Sequence, residues 1–132
     1  MKRGKIIIAE DDPVLRGIYQ KKFSVNGYQI RTAADGEEAL EMIENDEPDL
    51  LILDINMPVI DGFAVMEKHP KEQRRFPVIL LTNFSDKKNQ EKGLELGAND
   101  FFVKSEMTIR KLLEMVEKLM LAKQYWANGK PN

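Results

Sequence analysis

Charged and polar residues stand directly after several short apolar runs in this sequence, and their types suggest phosphoryl chemistry. Asp54 ends the run LLILD and Thr82 ends PVILLT. The run KIIIA is followed by Glu10 and Asp11, and NDFFV is followed by Lys104. Three carboxylates, one hydroxyl and one ammonium could together bind a hard cation and a phosphoryl group, provided that the fold brings them to one place.

The three acids would repel one another if the fold crowds them together, because like charges disfavour joint ionisation. Mg²⁺, or Mn²⁺, would relieve this repulsion, since such a cation accepts carboxylate, water and phosphate oxygens. Asp54 could then attack phosphorus as a carboxylate nucleophile. Thr82 would donate a hydrogen bond to one phosphoryl oxygen and Lys104 would pair with another.

The elements that must position these residues follow from the hydrophobic pattern. Apolar, β-branched runs at 5–9, 28–34, 48–54, 77–82 and 99–104 predict five strands. Helical patterns between them and after the last run predict five helices. This alternation indicates an α/β fold with a parallel sheet covered on both faces. Ligands of such sheets bind beyond the carboxyl ends of the strands, where the candidate residues stand.

Several helices carry sequence signals of their own. Asp12 and Pro13 predict the N-cap and first residue of the first helix, and Gly27 predicts its end. The fourth helix contains few apolar residues, and we expect it to be held against the core by little beyond Leu94 and Leu96. The last helix carries an apolar stripe with helical spacing, formed by Ile109, Leu112, Leu113, Val116, Leu119 and Met120.

Length and composition indicate one globular domain. The 132 residues are 42% hydrophobic and 32% charged, which argues against disorder. We expect a domain over residues 1–124, a frayed tail over 125–132 and no output domain in this chain.

Charge and residue usage exclude several classes of function. Twenty basic and 22 acidic residues give a net charge of −2, which argues against nucleic-acid binding. The absence of cysteine excludes disulfides and thiolate metal sites. Apolar runs are too short for a signal peptide or a membrane span, so we expect a cytoplasmic protein without membrane contact.

The motifs together resemble the receiver domain of two-component response regulators, as in CheY-like proteins. The resemblance reaches about residue 122 and implies a single-domain (βα)5 flavodoxin-like fold with strand order 2-1-3-4-5. It also implies a phosphoryl group received from a histidine kinase or a histidine phosphotransfer protein. It rests on the pair Glu10-Asp11, the run Asp54-x-x-Met57-Pro58-x-x-Asp61-Gly62, Thr82, and Lys104 at the end of GANDFFVK.

The resemblance also implies a role for each site residue. Asp54 would be the phosphoacceptor, and Mg²⁺ would be ligated by Asp11, Asp54 and the backbone carbonyl of Asn56. Glu10 would act on the cation through water. Phosphatases of the haloacid dehalogenase type carry a second aspartate where Asn56 stands, so we expect no enzyme beyond weak self-catalysed phosphorylation and dephosphorylation.

A conformational switch is implied as well. Phosphorylation would draw Thr82 toward the phosphoryl group, and Phe101, at the position of the family's switch aromatic, would turn inward. The face formed by the fourth helix, fifth strand and fifth helix would then change its affinity for an unknown partner protein. The same face could support a weak dimer, with a monomer as the alternative.

Three positions depart from the family pattern. Asn83 replaces the usual alanine or glycine after Thr82, and we expect it to slow exchange with phosphodonors and water. Ser105 replaces a proline that is normally joined to the lysine by a cis bond. A cis bond without proline costs about 2.5–4 kcal/mol, which favours a trans bond and a different placement of Lys104. Phe101 replaces tyrosine and lacks its hydroxyl.

Other functional classes stay open beside the phosphorylatable receiver. The chain could be a degenerate receiver that acts as an interaction module without phosphorylation, or a receiver excised from a longer regulator. A flavin- or nucleotide-binding module on the same fold would require a Gly/Ser/Thr-rich loop after the first strand. The segment AEDDPV at that place is acidic and would repel phosphate.

Overall fold

The computed structural model describes residues 3–83 and 87–127, with side chains up to residue 123. Its five strands are all parallel and lie in the order β2-β1-β3-β4-β5, which confirms the predicted fold class and strand order. The elements are β1 (Lys5–Ala9), α1 (Pro13–Val25), β2 (Gln29–Ala33), α2 (Gly36–Asn45), β3 (Leu50–Asp54), α3 (Gly62–Lys68), β4 (Val78–Thr82), α4 (Lys87–Glu95), β5 (Asp100–Val103) and α5 (Ile109–Ala127).

The position of β3 at the centre of the sheet explains its continuously apolar sequence. Leu51 and Leu53 pack into the core on one face of the sheet. Leu50 and Ile52 pack into the core on the other face. Since both faces are covered, all five residues of β3 are buried, including the terminal Asp54. The buried strand thus ends in a carboxylate at the end of the sheet.

Helix α1 begins and ends as the sequence predicted. The Asp12 carboxylate accepts hydrogen bonds from the backbone amides of Val14 and Leu15, at 2.9 and 3.3 Å. Pro13 is the first residue of the helix. Gly27 follows its end with φ of +94°, a conformation that glycine adopts without strain. The N-terminal end of α1 is therefore fixed directly after the acidic pair.

Helix α4 is packed differently from the prediction. Leu94, expected to anchor the helix, has 62% of its surface exposed. Gly93 faces the sheet instead, and a Cβ there would lie 2.7 Å from atoms of Leu80 and of the Phe101 ring. Leu96 lies one turn further on and packs partly into the core. Adjacent residues on a helix point about 100° apart, so a helix that seats Gly93 turns Leu94 toward solvent.

Helix α5 confirms the predicted apolar stripe, and Leu112 and Val116 are fully buried. The helix continues to Ala127, so residues 125–127 are helical rather than part of a frayed tail. Residues 128–132 lie outside the described residues. No helix in the described part of the chain is long and apolar enough to cross a membrane.

The sheet has two ends, which we name for use below. The carboxyl end, where the strands finish, holds Glu10, Asp11, Asp54, Thr82 and Lys104. The amino end, where the strands start, holds Lys5, Asp49 and Asn99, and Lys123 of α5 bonds to Asp49 there.

Candidate functional site

The carboxyl end of the sheet brings a lysine between two buried acids. Lys104 Nζ lies 2.8 Å from Glu10 Oε1 and 3.0 Å from Asp54 Oδ2. The exposed fraction of the side chain is 12% for Lys104, 0% for Glu10 and 2% for Asp54. Residues that are far apart in the sequence thus form one ion-paired cluster with little access to water.

A third acid completes a candidate cation site. Glu10, Asp11 and Asp54 each offer a carboxylate oxygen, and these oxygens lie within 4.8 Å of one another. Burial raises the pKa of Glu10, and the neighbouring Asp54 carboxylate adds to this effect. Burial also raises the pKa of Asp11, together with the charge of Glu10. A hard divalent cation fits this set, because it prefers oxygen ligands and would stabilise the ionised acids.

The lysine supplies part of the compensating charge. Burial alone would lower the pKa of Lys104, but the two carboxylates outweigh burial and raise it. Lys104 is therefore held as an ammonium ion between Glu10 and Asp54. Removal of either acid would leave the lysine with a single carboxylate partner at hydrogen-bond distance.

Two hydrogen bonds connect the loop after β3 to the end of that strand. The Asn56 amide donates to Asp54 Oδ1 at 3.1 Å, and the Gly62 amide donates to the Ile55 carbonyl at 2.9 Å. A Cβ at Gly62 would collide with the Asp54 carbonyl. Within this loop Val59 has φ of +69°, a strained value for a β-branched residue. Asn56 is exposed beside the site, and the role of its carbonyl as a metal ligand stays a prediction.

Strands β4 and β5 carry the remaining predicted residues to the same end. Thr82 is 2% exposed, and its carbonyl accepts the Lys104 amide at 2.7 Å. Asp54 pairs in register with Leu81, so Thr82 lies one residue beyond that pair. The described residues contain no cis peptide bond, so Lys104 and Ser105 are joined in trans. Lys104 reaches both acids with this trans bond.

The predicted switch residue Phe101 and the predicted modulating residue Asn83 lie outside this ion-paired cluster. Phe101 is half-buried and packs against the core face that includes Leu80. Its ring lies against Gly93 of α4. Asn83 is exposed directly after Thr82. The inward movement of Phe101 and the effect of Asn83 stay predictions.

Sequence reasoning missed two residues of α1 that face the site. Arg16 Nη1 donates to the carbonyls of Glu10 and Asp11, at 2.8 and 3.4 Å. Tyr19 is buried, and burial followed by the charge of Glu10 raises its pKa to about 12. The spacing offered a signal, because residues four and seven positions after the N-cap Asp12 lie on one helix face.

Comparison with known proteins places this fold and site in a family. The sequence model of the response regulator receiver domain matches residues 6–117. The probable transcriptional regulator ycf27 of Porphyridium aerugineum is 40% identical over 124 residues, covering 89% of this chain and 51% of the relative. The alkaline phosphatase synthesis transcriptional regulatory protein PhoP of Bacillus subtilis is 36% identical over 100 residues, covering 76% of this chain and 42% of the relative. This chain spans about half the length of the curated relatives that it matches.

Solved structures agree with the sequence relatives. The Francisella response regulator 1452 receiver domain superposes with a TM-score of 0.84 at 30% identity, covering 90% of this chain and 98% of that chain. The CheY-like receiver domain protein of Methanospirillum hungatei superposes with a TM-score of 0.85 at 27% identity, covering 91% and 95%. The fold and the strand order are those of the flavodoxin-like class. The chain belongs to the response regulator receiver domain family.

Proposed function

We propose that this chain is a phosphorylatable receiver in which Asp54 accepts the phosphoryl group. The carrying observation is the buried Asp54 carboxylate, which bonds Lys104 and has the carboxylates of Glu10 and Asp11 nearby. A histidine kinase or a histidine phosphotransfer protein supplies the phosphoryl group as phosphohistidine. The new P–O bond forms on Asp54 as the P–N bond breaks, and the electron pair returns to the imidazole.

Mg²⁺, or Mn²⁺, is the proposed cofactor. Asp11, Asp54 and the backbone carbonyl of Asn56 would hold it, with Glu10 acting through water. When bound, the cation neutralises charge on the phosphoryl oxygens. Lys104 then exchanges its bond to Asp54 for a bond to one phosphoryl oxygen, and the Thr82 hydroxyl binds another.

The proposed output is a shift in the α4–β5–α5 face toward a state with different partner affinity. The contact between the Phe101 ring and Gly93 supports this shift, because rotation of the ring would change the surface against which α4 packs. Lys92 of α4, whose Nζ lies 4.8 Å from the Phe63 ring centroid, and Leu96, directly after the helix, make further contacts with the domain. The downstream partner is a protein, and the same face would form any weak dimer of the otherwise monomeric chain.

The relatives bear on pathway and location. They carry the names of transcriptional regulators, so we propose that the receiver controls transcription through an output that lies outside residues 6–117. The net charge of −2 supports a domain that does not itself bind nucleic acid. A cytoplasmic location fits a partner kinase that delivers phosphoryl groups there. The degenerate receiver and the excised receiver are the alternatives.

An exposed apolar stripe on α1 supports a protein phosphodonor. Val14, Ile18 and Val25 are 67%, 49% and 77% exposed. Ile18 and Val25 line an apolar hollow of about 280 Å³ together with Ile109. The stripe starts two residues after Asp12, directly beside the acidic site. Exposed apolar patches of this kind mark protein interaction sites.

Ile18→Glu tests this role of the α1 stripe. The substitution should reduce phosphorylation by a panel of autophosphorylated histidine kinases without changing phosphorylation by acetyl phosphate.

The direct test is incubation with Mg²⁺ and acetyl phosphate, followed by intact mass spectrometry. We expect an adduct of one phosphoryl group that disappears in Asp54→Ala and in buffer with EDTA. Non-covalent binding of beryllofluoride, followed by NMR, gives an independent readout of the same site. Absence of the adduct and of beryllofluoride binding in the intact protein would favour the degenerate receiver.

A further inference from the structure

Arg16 contacts the acidic pair through the backbone carbonyls of that pair. Its Nη1 donates to the Glu10 carbonyl at 2.8 Å and lies 3.4 Å from the Asp11 carbonyl. Lys104, in contrast, bonds the side-chain oxygens of Glu10 and Asp54. Arg16 therefore contacts the backbone of the acidic pair and leaves the carboxylate oxygens available to a cation.

The turn between β1 and α1 is where this contact acts. Glu10 is fixed by other bonds, because its amide donates to the Ala33 carbonyl and its Oε2 accepts the Asp12 amide. Asp11 is exposed, and Arg16 reaches across the turn to its carbonyl. The Arg16 backbone amide also donates a hydrogen bond to the Asp12 carbonyl at 2.9 Å. Arg16 therefore bonds the carbonyls of three consecutive residues, Glu10, Asp11 and Asp12.

Orientation of a peptide group sets the direction of the side chain beside it. Carbonyls of Glu10 and Asp11 that point to the guanidinium leave the Asp11 carboxylate directed toward Asp54, within the 4.8 Å cluster. Both contacts come from Nη1, whose two N–H groups lie at fixed angles in the guanidinium plane, whereas a lysine ammonium is a rotating point charge on a shorter reach. Outer residues that orient metal ligands in this way commonly change metal affinity when they are replaced.

We infer that Arg16 is a positioning residue for the cation site, holding the β1–α1 turn so that Asp11 and Asp54 can share one Mg²⁺. The inference rests on the proposed function in one respect, namely that these carboxylates bind Mg²⁺. It extends that function to a residue outside the family motifs identified in the sequence.

The test compares Mg²⁺ dissociation constants, measured by titration calorimetry, for wild type, Arg16→Gln, Arg16→Lys and Arg3→Gln. Arg3 is the matched control, because it donates to the Asn26 carbonyl at the other end of α1 and pairs with Glu117. We expect both Arg16 variants to weaken Mg²⁺ binding by about tenfold. Arg3→Gln should bind Mg²⁺ as wild type does. Thermal unfolding of each variant checks that the fold persists, and Arg16→Lys carries the test if Arg16→Gln does not fold.

Phosphorylation by acetyl phosphate across Mg²⁺ concentrations separates this inference from the proposed function. We expect Arg16→Gln to require about tenfold more Mg²⁺ for half-maximal rate and to reach the wild-type rate at saturation. Unchanged Mg²⁺ affinity in Arg16→Gln, wild-type affinity in Arg16→Lys, or an equal loss in Arg3→Gln would each overturn the positioning role. A wild type that binds Mg²⁺ but forms no phosphoryl adduct would overturn the proposed function alone.

Discussion

The two ends of the sheet use the same kinds of charged residue in opposite ways. At the carboxyl end Lys104 lies between Glu10 and Asp54, two carboxylates that are 0% and 2% exposed. At the amino end Lys123 pairs with Asp49 at 3.2 Å, and these side chains are 31% and 41% exposed. The pKa of Glu10 is raised, whereas the pKa of Asp49 is lowered.

From this difference we expect the crowding of acids to cost stability at the carboxyl end and the pairing of charges to supply stability at the amino end. At the amino end each acid has a donor of its own, since Asp49 accepts the Lys5 amide and Asp46 accepts Lys5 Nζ. At the carboxyl end three acids, Glu10, Asp11 and Asp54, lie close together. Lys104 forms hydrogen bonds with two of them, Glu10 and Asp54. Crowded like charges of this kind are typical of functional sites, where a ligand relieves the repulsion. Three matched pairs of substitutions test this contrast.

The lysines give the largest expected difference. Lys104→Met leaves Glu10 and Asp54 buried without their counter-charge, so we expect a loss of about 3 kcal/mol in the free energy of unfolding. Lys123→Met removes a half-exposed ion pair and should cost less than about 1 kcal/mol. Urea unfolding at neutral pH in EDTA measures both. Added Mg²⁺ should recover part of the loss in Lys104→Met, and equal losses in the two variants would remove the contrast.

The asparagines separate an effect on rate from an effect on stability. Asn83 is exposed directly after Thr82, where its side chain would narrow access to the phosphoryl group or bond it. Asn83→Ala should therefore speed both phosphorylation and decay by about fivefold, or roughly 1 kcal/mol in the barrier. At the amino end Asn99 Oδ1 accepts the Val78 amide at 2.9 Å. Asn99→Ala should cost about 1 kcal/mol of stability with unchanged rates.

Acetyl phosphate labelling, followed by chase in donor-free buffer, gives the two rates for each asparagine variant. Thermal unfolding gives the stabilities. Equal phosphorylation and decay rates in wild type and Asn83→Ala would show that Asn83 does not control exchange at the site.

The aspartates should differ in the sign of a smaller effect. Asp11→Asn removes one of three crowded charges, so we expect the free energy of unfolding in EDTA to rise by up to about 1 kcal/mol. Asp49→Asn weakens the bonds to the Lys5 amide and to Lys123 and should lower it by a similar amount. Mg²⁺ should reverse the order for Asp11→Asn, because only the wild type then gains from cation binding. Destabilisation by both substitutions in EDTA would contradict the contrast.

The sequence predicted the carboxyl end better than it predicted the packing around it. Parallel strands finish at one end of a sheet, so Glu10, Asp54 and Lys104 could be assigned to one place from the apolar runs that precede them. Helix capping by Asp12 was equally readable, because Pro13 follows it. These predictions needed only periodicity and chain direction.

Other features depend on how each helix is rotated about its axis, which a short pattern does not define. Leu94 was predicted to face the core, but the contact of Gly93 with the sheet turns it outward. Arg16 was overlooked because its position in the helical sequence pattern is the same whether its side chain faces solvent or bonds a backbone carbonyl. The backbone strain at Val59 has no sequence signature, since valine is a poor residue for positive φ.

The smallest expected effect concerns acid and the amino end. Burial disfavours the charged form of Asp49, but the Lys5 amide and the Lys123 ammonium outweigh burial and lower its pKa. The unfolded carboxyl has a pKa of about 3.9, so the folded value lies below the unfolded one. The stability from its ionisation is therefore present above about pH 4 and is lost as the pH falls through the folded pKa.

The gap in unfolding free energy between wild type and Asp49→Asn should therefore be constant from pH 7 to about pH 5 and should shrink toward pH 3. Urea unfolding across this range in EDTA measures it. Asp46→Asn is the comparison, because Lys5 Nζ also lowers the pKa of Asp46, but solvent screens this surface pair and its dependence on pH should be weaker. If the difference in unfolding free energy stayed constant down to pH 3, Asp49 would stabilise the amino end through its hydrogen bonds and not through its charge. Charge pairing would then no longer distinguish the two ends of the sheet.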